Sequence, residues 1–264
     1  MVGVAIPLSG FAGWRFLRET RPLQEARLAA SPTDARDLQA FKSRIGQLAT
    51  ATDLVQDRQV LRVALTAFGL EDDLPSRALV ERVLSDGTVG RDALSNRLAD
   101  RRYRGLSEAF GFGPYEMPGR LRSEFVDRIT GAYVARRFEA EVGKIDEPLR
   151  LALNAERELS GFADRSASSG TSLWYEVLAT PPVRKVIETA LGLPASVAGL
   201  DLDRQIGLFR EASRATFGTD QLQELAQPDR LEPILRRYPA RAGPEAGSSR
   251  TSGAAIALRL LGGG

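Results

Sequence analysis

Apolar residues return at helical spacing along nearly the whole chain, and this periodicity constrains the fold more than any other feature. The clearest stripe follows Thr180-Pro181-Pro182 and consists of Val183, Val186, Ile187, Ala190 and Leu191, at positions i, i+3, i+4, i+7 and i+8 of a helix. Gly192-Leu193-Pro194 then ends it, because proline cannot continue a helix. No alternating apolar–polar run rich in β-branched residues occurs, so no strand is predicted. The sequence therefore predicts an all-α fold.

Other helices are marked by their ends. Ser31 and Pro32 suit an N-cap and a first turn, and Asp34 favours the positive end of that helix. Asp100 is a plausible cap for a second helix, and Gly69 suits the left-handed terminus of a third. Apolar stripes lie between signals of this kind. They include Leu38, Phe41, Ile45 and Leu48; Leu61, Leu65 and Phe68; Tyr103, Leu106 and Phe110; Phe125, Ile129 and Tyr133; and Ile206, Phe209 and Phe217.

Three segments share the same helix-ending pattern of Ala, an apolar residue, Gly and an apolar residue. They are Ala67-Phe68-Gly69-Leu70, Ala109-Phe110-Gly111-Phe112 and Ala190-Leu191-Gly192-Leu193. The similarity is compatible with helix-hairpin repeats, although solenoid repeats keep a steadier period. The favoured alternative is that these residues simply make a good helix terminus, which occurs several times without any structural repeat. The fold is accordingly expected to be an irregular multi-helix bundle or an array of helix hairpins, with a mobile C-terminal tail.

Composition shifts suggest soft domain boundaries. Small residues between 166 and 172 predict a flexible loop, either a hinge or an exposed connection. An N-terminal segment (1–30) and a helical subdomain (31–165) precede that loop. A second helical subdomain (173–237), expected to pack on the first, follows it. From Tyr238 onward the sequence turns to Pro, Ala, Gly and Ser, which predicts a mobile tail over 238–264.

The sequence contains neither cysteine nor histidine. Disulfides, thiolate zinc sites, iron–sulfur clusters, cysteine nucleophiles and Ser-His-Asp chemistry are therefore excluded. Asp201 and Asp203 form the best remaining acidic pair, which would suit a carboxylate-based hydrolase. Two acids alone specify no metal, and either residue serves more simply as the N-cap of the next helix. The sequence predicts a non-enzymatic protein with no cofactor and no metal.

Arg101, Arg102 and Arg104 form the densest basic cluster and are the interaction candidates that the sequence offers. They could contact phosphates or an acidic partner, with stacking from Tyr103. However, Tyr103 lies in phase with Leu106, so it belongs to the predicted core while the arginines face solvent. A net charge of only +2 also argues against a dedicated nucleic-acid-binding protein.

Several segments in a fixed order resemble a bacterial family of unknown function whose genes often lie among flagellar genes. The resemblance covers about residues 6–220 and rests on Ile6–Leu17, Asp57–Asp73, Asn96–Tyr103, Ala109–Gly113, Thr180–Val186 and Leu200–Gln205. It supplies no catalytic motif that could be transferred to this chain. What it implies is a role in building, exporting or regulating the flagellum.

The leading hypothesis is a non-enzymatic, flagellum-associated helical protein that binds another flagellar protein. The alternative is an Arg-mediated nucleic-acid-binding or regulatory protein. The longest apolar stretches fall far short of the roughly 20 residues of a membrane span. Pro7 interrupts the apolar start of the chain, which lacks a basic region, so no cleaved signal peptide is expected. The expected location is the cytoplasm or the flagellum.

Overall fold

The structure is a computed structural model that describes residues 3–114, 124–165 and 170–242. Within these ranges it is all-α and contains no strand, which confirms the predicted fold class. The helices are α1 (Gly10–Ala29), α2 (Pro32–Arg44), α3 (Ala51–Gln56), α4 (Arg58–Phe68), α5 (Arg77–Asp86), α6 (Leu94–Arg97), α7 (Arg101–Phe110), α8 (Phe125–Gly143), α9 (Glu147–Ser160), α10 (Gly170–Ala179), α11 (Pro181–Leu191), α12 (Leu202–Phe217), α13 (Leu222–Leu225) and α14 (Pro228–Ala242). None of these described helices is both long enough and apolar enough to span a membrane.

The predicted helix ends are confirmed. The Ser31 side chain accepts a hydrogen bond from the backbone N–H of Asp34 at the start of α2. Asp100 and Asp201 cap α7 and α12 in the same way. These caps satisfy backbone donors that have no partner inside a helix.

Left-handed glycines end the helices that carry the repeated Ala-x-Gly-x segments. Gly69, Gly111 and Gly192 have φ values of 71°, 63° and 75°. A side chain is strained in this conformation, which explains why glycine occupies each of these positions. The three similar segments are therefore three copies of one kind of helix terminus.

The chain divides into two compact units. Unit 1 comprises residues 3–4 and the described residues of Arg21–Glu141, and its core is built mainly from α2, α4, α5, α7 and α8. Phe110, which is fully buried, lies among other aromatic rings in this core. Its ring centroid is 5.1 Å from that of Phe125 and 6.5 Å from that of Phe41, both edge-on. Edge-to-face contacts of this kind stabilise a core beyond the burial of apolar area.

Unit 2 comprises Ala5–Thr20 together with the described residues from Val142 onward. Its helices α9, α11 and α14 pack against one another. Trp174 is fully buried and meets the ring of Phe209 at a centroid distance of 6.1 Å. Trp14 is also buried, whereas Tyr175 is exposed. Both tryptophans therefore belong to the core of unit 2, whereas Tyr175 does not.

The division of the chain differs from the boundaries expected from composition. One boundary falls between Glu141 and Val142, near the end of α8, and not in the small-residue segment 166–172. Another falls within α1, between Thr20 and Arg21, inside the predicted N-terminal segment 1–30. Gly170–Ser172 belong to α10, so this part of the predicted loop is helical. Burial of Leu173 and Trp174 in the same helix explains the difference, because packing of an apolar face outweighs weak local propensity. Residues 166–169 lie outside the described residues.

The predicted start of the tail at Tyr238 is also wrong. Helix α14 continues to Ala242, and Tyr238 is buried within it. Arg237 donates a hydrogen bond of 2.7 Å from Nε to the carbonyl oxygen of Ala190, near the end of α11. These tertiary contacts keep the segment helical despite Pro239. Residues 243–264, the rest of the predicted tail, lie outside the described residues.

Asp220 anchors the polar part of unit 2. Its Oδ2 accepts hydrogen bonds from Arg210 Nε at 2.6 Å and Arg214 Nη2 at 2.7 Å. Its carbonyl oxygen accepts a third hydrogen bond, of 2.9 Å, from Trp174 Nε1. Burial on its own would raise the pKa of the Asp220 carboxyl, but the hydrogen bonds from both arginines outweigh burial and lower the pKa to about 2.

Asp220 should therefore make stability depend on pH in acid. Its pKa is near 4 in an unfolded chain and about 2 in the folded protein, so its contribution is complete above about pH 4 and is lost as the pH falls towards 2. We expect Asp220→Asn to lower the free energy of unfolding at pH 7 and to reduce its change across this acid range. Urea unfolding at a series of pH values measures both effects. Asp164→Asn, at an exposed site of unit 2, is the control. If the free energy of unfolding of Asp220→Asn fell in acid as much as that of the wild type, Asp220 would not be the source of the pH dependence.

Candidate functional site

Unit 1 contains a polar cleft of about 320 Å³. Its walls come from α2, α4, α8 and the 3-10 turn Glu71–Asp73 that follows α4. We call it the α2–α4–α8 cleft. Its polar and charged lining residues are Thr33, Asp34, Asp37, Arg62, Thr66, Glu71, Tyr133, Arg136 and Arg137.

Asp34 lies at the centre of a hydrogen-bond network in the cleft and is only 3% exposed. Its Oδ1 accepts hydrogen bonds from Tyr133 Oη at 2.6 Å and from Arg137 Nε at 3.1 Å. Its Oδ2 accepts another, of 2.7 Å, from Ser31 Oγ. The network links the start of α2 to the middle of α8, and it compensates a buried carboxylate that would otherwise be costly.

The same network moves two pKa values away from neutrality. Burial on its own would raise the pKa of the Asp34 carboxyl, but the hydrogen bonds from Tyr133, Ser31 and Arg137 outweigh burial and hold the pKa below its usual value. Burial and then the hydrogen bond to Asp34 raise the pKa of the Tyr133 phenol well above its usual value. At neutral pH Asp34 is therefore ionised and Tyr133 is protonated.

A second ion pair joins α2 to α4. Arg62 Nη1 donates a hydrogen bond of 2.8 Å to Asp37 Oδ2, and the Asp37 side chain is only 4% exposed. Thr66 lies one turn after Arg62, so both residues lie on the same side of α4. The cleft thus presents carboxylate, guanidinium and hydroxyl groups from helices that hold them in place.

The arrangement suits recognition by fixed charges. The pKa values of Asp34 and Tyr133 lie on opposite sides of the neutral range. A general acid or base works best with a pKa near the operating pH, which neither group has. Among the described residues, no three acidic side chains converge as a metal site would require.

The sequence-predicted arginines occupy the first turn of α7 and do not line the cleft. Arg101, Arg102 and Arg104 are all exposed. Arg102 forms hydrogen bonds with both carboxylate oxygens of Asp100 and donates another to the carbonyl oxygen of Gly69. Arg104 Nε donates one of 2.9 Å to Glu108. Arg102 and Arg104 thus each pair with an acidic residue close to them in sequence.

We therefore expect the protein to pass through a heparin or DNA column at about 150 mM salt, because phosphate contacts need cationic groups that are available and weaken steeply with salt. Elution position measured across a salt series tests this expectation. Arg101→Ala and Arg104→Ala are the matched variants. The expectation would be contradicted if the protein were retained at that salt concentration and either substitution abolished the retention. That result would favour the nucleic-acid alternative.

The acidic pair that the sequence offered does not form a shared site. Asp201 caps α12, as predicted for one of the two residues, whereas Asp203 Oδ1 accepts a hydrogen bond of 2.6 Å from Tyr175 Oη. Both carboxylates are exposed. Each aspartate thus has a local structural partner, and nothing in their arrangement suggests hydrolysis.

Sequence reasoning missed the cleft. It treated Asp34 as a helix-end acid and Tyr133 as core, and it did not single out Asp37, Arg62 or Arg137. A signal was present, because Asp34 lies four residues before Leu38 in the phase of the apolar stripe of α2. A charged residue in the phase of a buried stripe indicates a buried partner.

Comparisons with known proteins give a family and a fold. No curated protein matches the sequence. Protein AGR_C_984 from Agrobacterium tumefaciens, whose crystal structure is known, is similar with a TM-score of 0.66 and 22% identity. The similarity covers 90% of this chain and 96% of that one, and at this identity it shows the fold alone. A family model described as a protein of unknown function (DUF1217) matches residues 67–231, which is more than half of the chain. The chain therefore belongs to the DUF1217 family of bacterial proteins of unknown function.

Proposed function

We propose that this protein is a non-enzymatic, flagellum-associated helical protein that acts in flagellar assembly, export or structure by binding another flagellar protein. The observation that carries the binding role is that the helices hold the charged groups of the α2–α4–α8 cleft in fixed positions, with Asp34 bonded to Tyr133, Arg137 and Ser31. Asp34 stays ionised and Tyr133 stays protonated at neutral pH. Such groups recognise a partner by position and charge, and they are poorly suited to proton transfer.

The flagellar context rests on the ordered segments of the sequence, which resemble a family whose genes often lie among flagellar genes. The family match itself carries no statement of activity. A helical protein without cysteine or histidine fits an assembly component better than a catalyst. The proposed location is the cytoplasm or the flagellum.

A clean deletion in the native bacterium tests the flagellar role. We expect reduced swimming in soft agar, together with altered export of hook or filament protein, and restoration by the wild-type gene. Export is measured by quantifying flagellar proteins in the culture supernatant. Normal swimming and normal export in a deletion strain whose parent expresses the protein would overturn the role.

Binding is tested directly with purified components. The tagged full chain is incubated with individually purified rod, hook, filament and export-apparatus proteins, and each positive pair is repeated with the tag on the other partner. Mapping begins with Glu71→Lys, at an exposed residue of the cleft, and continues with Arg101→Glu and Arg104→Glu at the predicted interaction residues. Arg15→Glu, at an exposed position of α1, is the matched control. Failure of every pair would refute direct binding even if the deletion reduced swimming.

A further inference from the structure

The ion pair between Asp37 and Arg62 has hydrogen-bonding capacity to spare. Arg62 Nη1 donates to Asp37 Oδ2, yet Oδ1 of this 4% exposed side chain accepts no hydrogen bond from the described residues. The Nε and Nη2 atoms of Arg62 likewise donate none within the described part of the chain. Asp37 and Arg62 both line the cleft, so this oxygen and this guanidinium edge can pair with a ligand that enters it.

Thr66 adds a second, independent observation. It is only 5% exposed and lines the cleft, but its hydroxyl makes no hydrogen bond with any described residue. Thr20 and Thr130 each donate to the carbonyl oxygen four residues earlier in their helices, as helical threonines commonly do. The Thr66 hydroxyl has therefore not taken up its usual local partner and remains available to a ligand in the cleft.

The charges of the lining residues balance. Asp34, Asp37 and Glu71 oppose Arg62, Arg136 and Arg137. A bare cation or a bare anion would meet like charge as well as opposite charge in such a site. A ligand that carries both signs can pair with both. The volume of about 320 Å³ lies at the small end of ligand-binding clefts, which favours a compact molecule.

We propose that the α2–α4–α8 cleft binds a small zwitterion of the chemical class of a free α-amino acid. The ligand ammonium donates to Asp37 Oδ1 and to the Thr66 hydroxyl. The ligand carboxylate accepts from the Nε–Nη2 edge of Arg62, the fork that binds carboxylates with two parallel hydrogen bonds. The inference concerns the same cleft that carries the proposed binding role, but binding of the small ligand requires no partner protein, so calorimetry and the test with flagellar proteins can fail separately.

The proposal is tested by isothermal titration calorimetry, in which each of the standard L-amino acids is titrated in turn into the full chain. The amino acid that binds best is then compared with its des-amino carboxylic acid and with its decarboxylated amine. We expect both halves to bind at least about 10-fold more weakly, since each loses one charge-assisted contact. Absence of binding by every amino acid at millimolar concentration, or equal binding by either half, would overturn the proposal.

Two variants and one control variant locate the site. Thr66→Val keeps the shape of the side chain and should weaken binding by about 10-fold through loss of one hydrogen bond to a charged group. Thr130→Val removes a buried hydroxyl from another helix of unit 1, outside the cleft, and should leave the affinity unchanged. Asp37→Asn should weaken binding by about 10- to 100-fold if the variant folds. Unaltered affinity in Thr66→Val would refute the assignment, whatever the behaviour of Asp37→Asn.

Discussion

Replacement of Asp34 by alanine is expected to lower the free energy of unfolding by about 3–5 kcal/mol. The carboxylate satisfies Tyr133, Arg137 and Ser31 at once. Its removal leaves the tyrosine hydroxyl and the guanidinium without their buried acceptor, and an uncompensated buried donor costs more than the original contact contributed. Urea unfolding at pH 7, followed by circular dichroism, measures the change.

Two variants make this expectation specific. Tyr133→Phe removes a single donor to a charged group and should cost about 1.5–3 kcal/mol. Asp72→Ala removes an exposed acid from the 3-10 turn Glu71–Asp73 and should stay within about 0.5 kcal/mol of the wild type. If Asp34→Ala also stayed within that margin, the network around Asp34 would not be a major source of stability.

The helices themselves follow from local sequence. Ser31 and Pro32 open α2 as their residue types predict, and Gly69 closes α4 in the left-handed conformation. An N-cap residue, an apolar stripe and a terminal glycine all lie within a few turns of one helix. They can therefore be recognised in a single sequence. The fold class was predictable for this reason.

The cleft could not be located in the same way. Asp34 and Tyr133 are 99 residues apart, and they meet because α8 packs near α2. Helical periodicity says which face of each helix is buried but not which helix covers it. The phase of Asp34 with Leu38 could indicate a buried acid, whereas the identity of its partners requires the tertiary structure.

The same distinction explains the errors at the domain boundaries. Small residues near 170 and Pro239 near the chain end are local signals of a loop and a helix break. Burial of Trp174 and Tyr238 overrides both signals, because packing contributes more than propensity. A boundary predicted from composition marks the segment with the weakest helix propensity. A helix can still continue across that segment when tertiary contacts stabilise it.

The aromatic centre of unit 1 gives the second large effect. Phe110→Ala is expected to cost about 3–5 kcal/mol, because it removes a fully buried ring and leaves a cavity among neighbours that cannot collapse fully. The ring contacts Phe41 and Phe125 edge-on and Phe112 face-on. Since whole domains are stable by only about 5–15 kcal/mol, much of the stability of unit 1 should depend on this side chain. Urea unfolding monitored by circular dichroism gives the change.

A comparison of Phe110→Ala with Phe110→Leu separates apolar burial from aromatic geometry. Leucine retains much of the buried volume but loses the ring contacts, so we expect a smaller cost of about 1–3 kcal/mol. Phe11→Ala, at a ring that is 44% exposed in unit 2, should change stability by no more than about 0.5 kcal/mol. A cost below about 1 kcal/mol for Phe110→Ala would show that the core relaxes around the lost ring, which close packing argues against. Equal costs for alanine and leucine would instead assign the stabilisation to the ring contacts with Phe41, Phe68, Phe112 and Phe125, because both variants lose all of them.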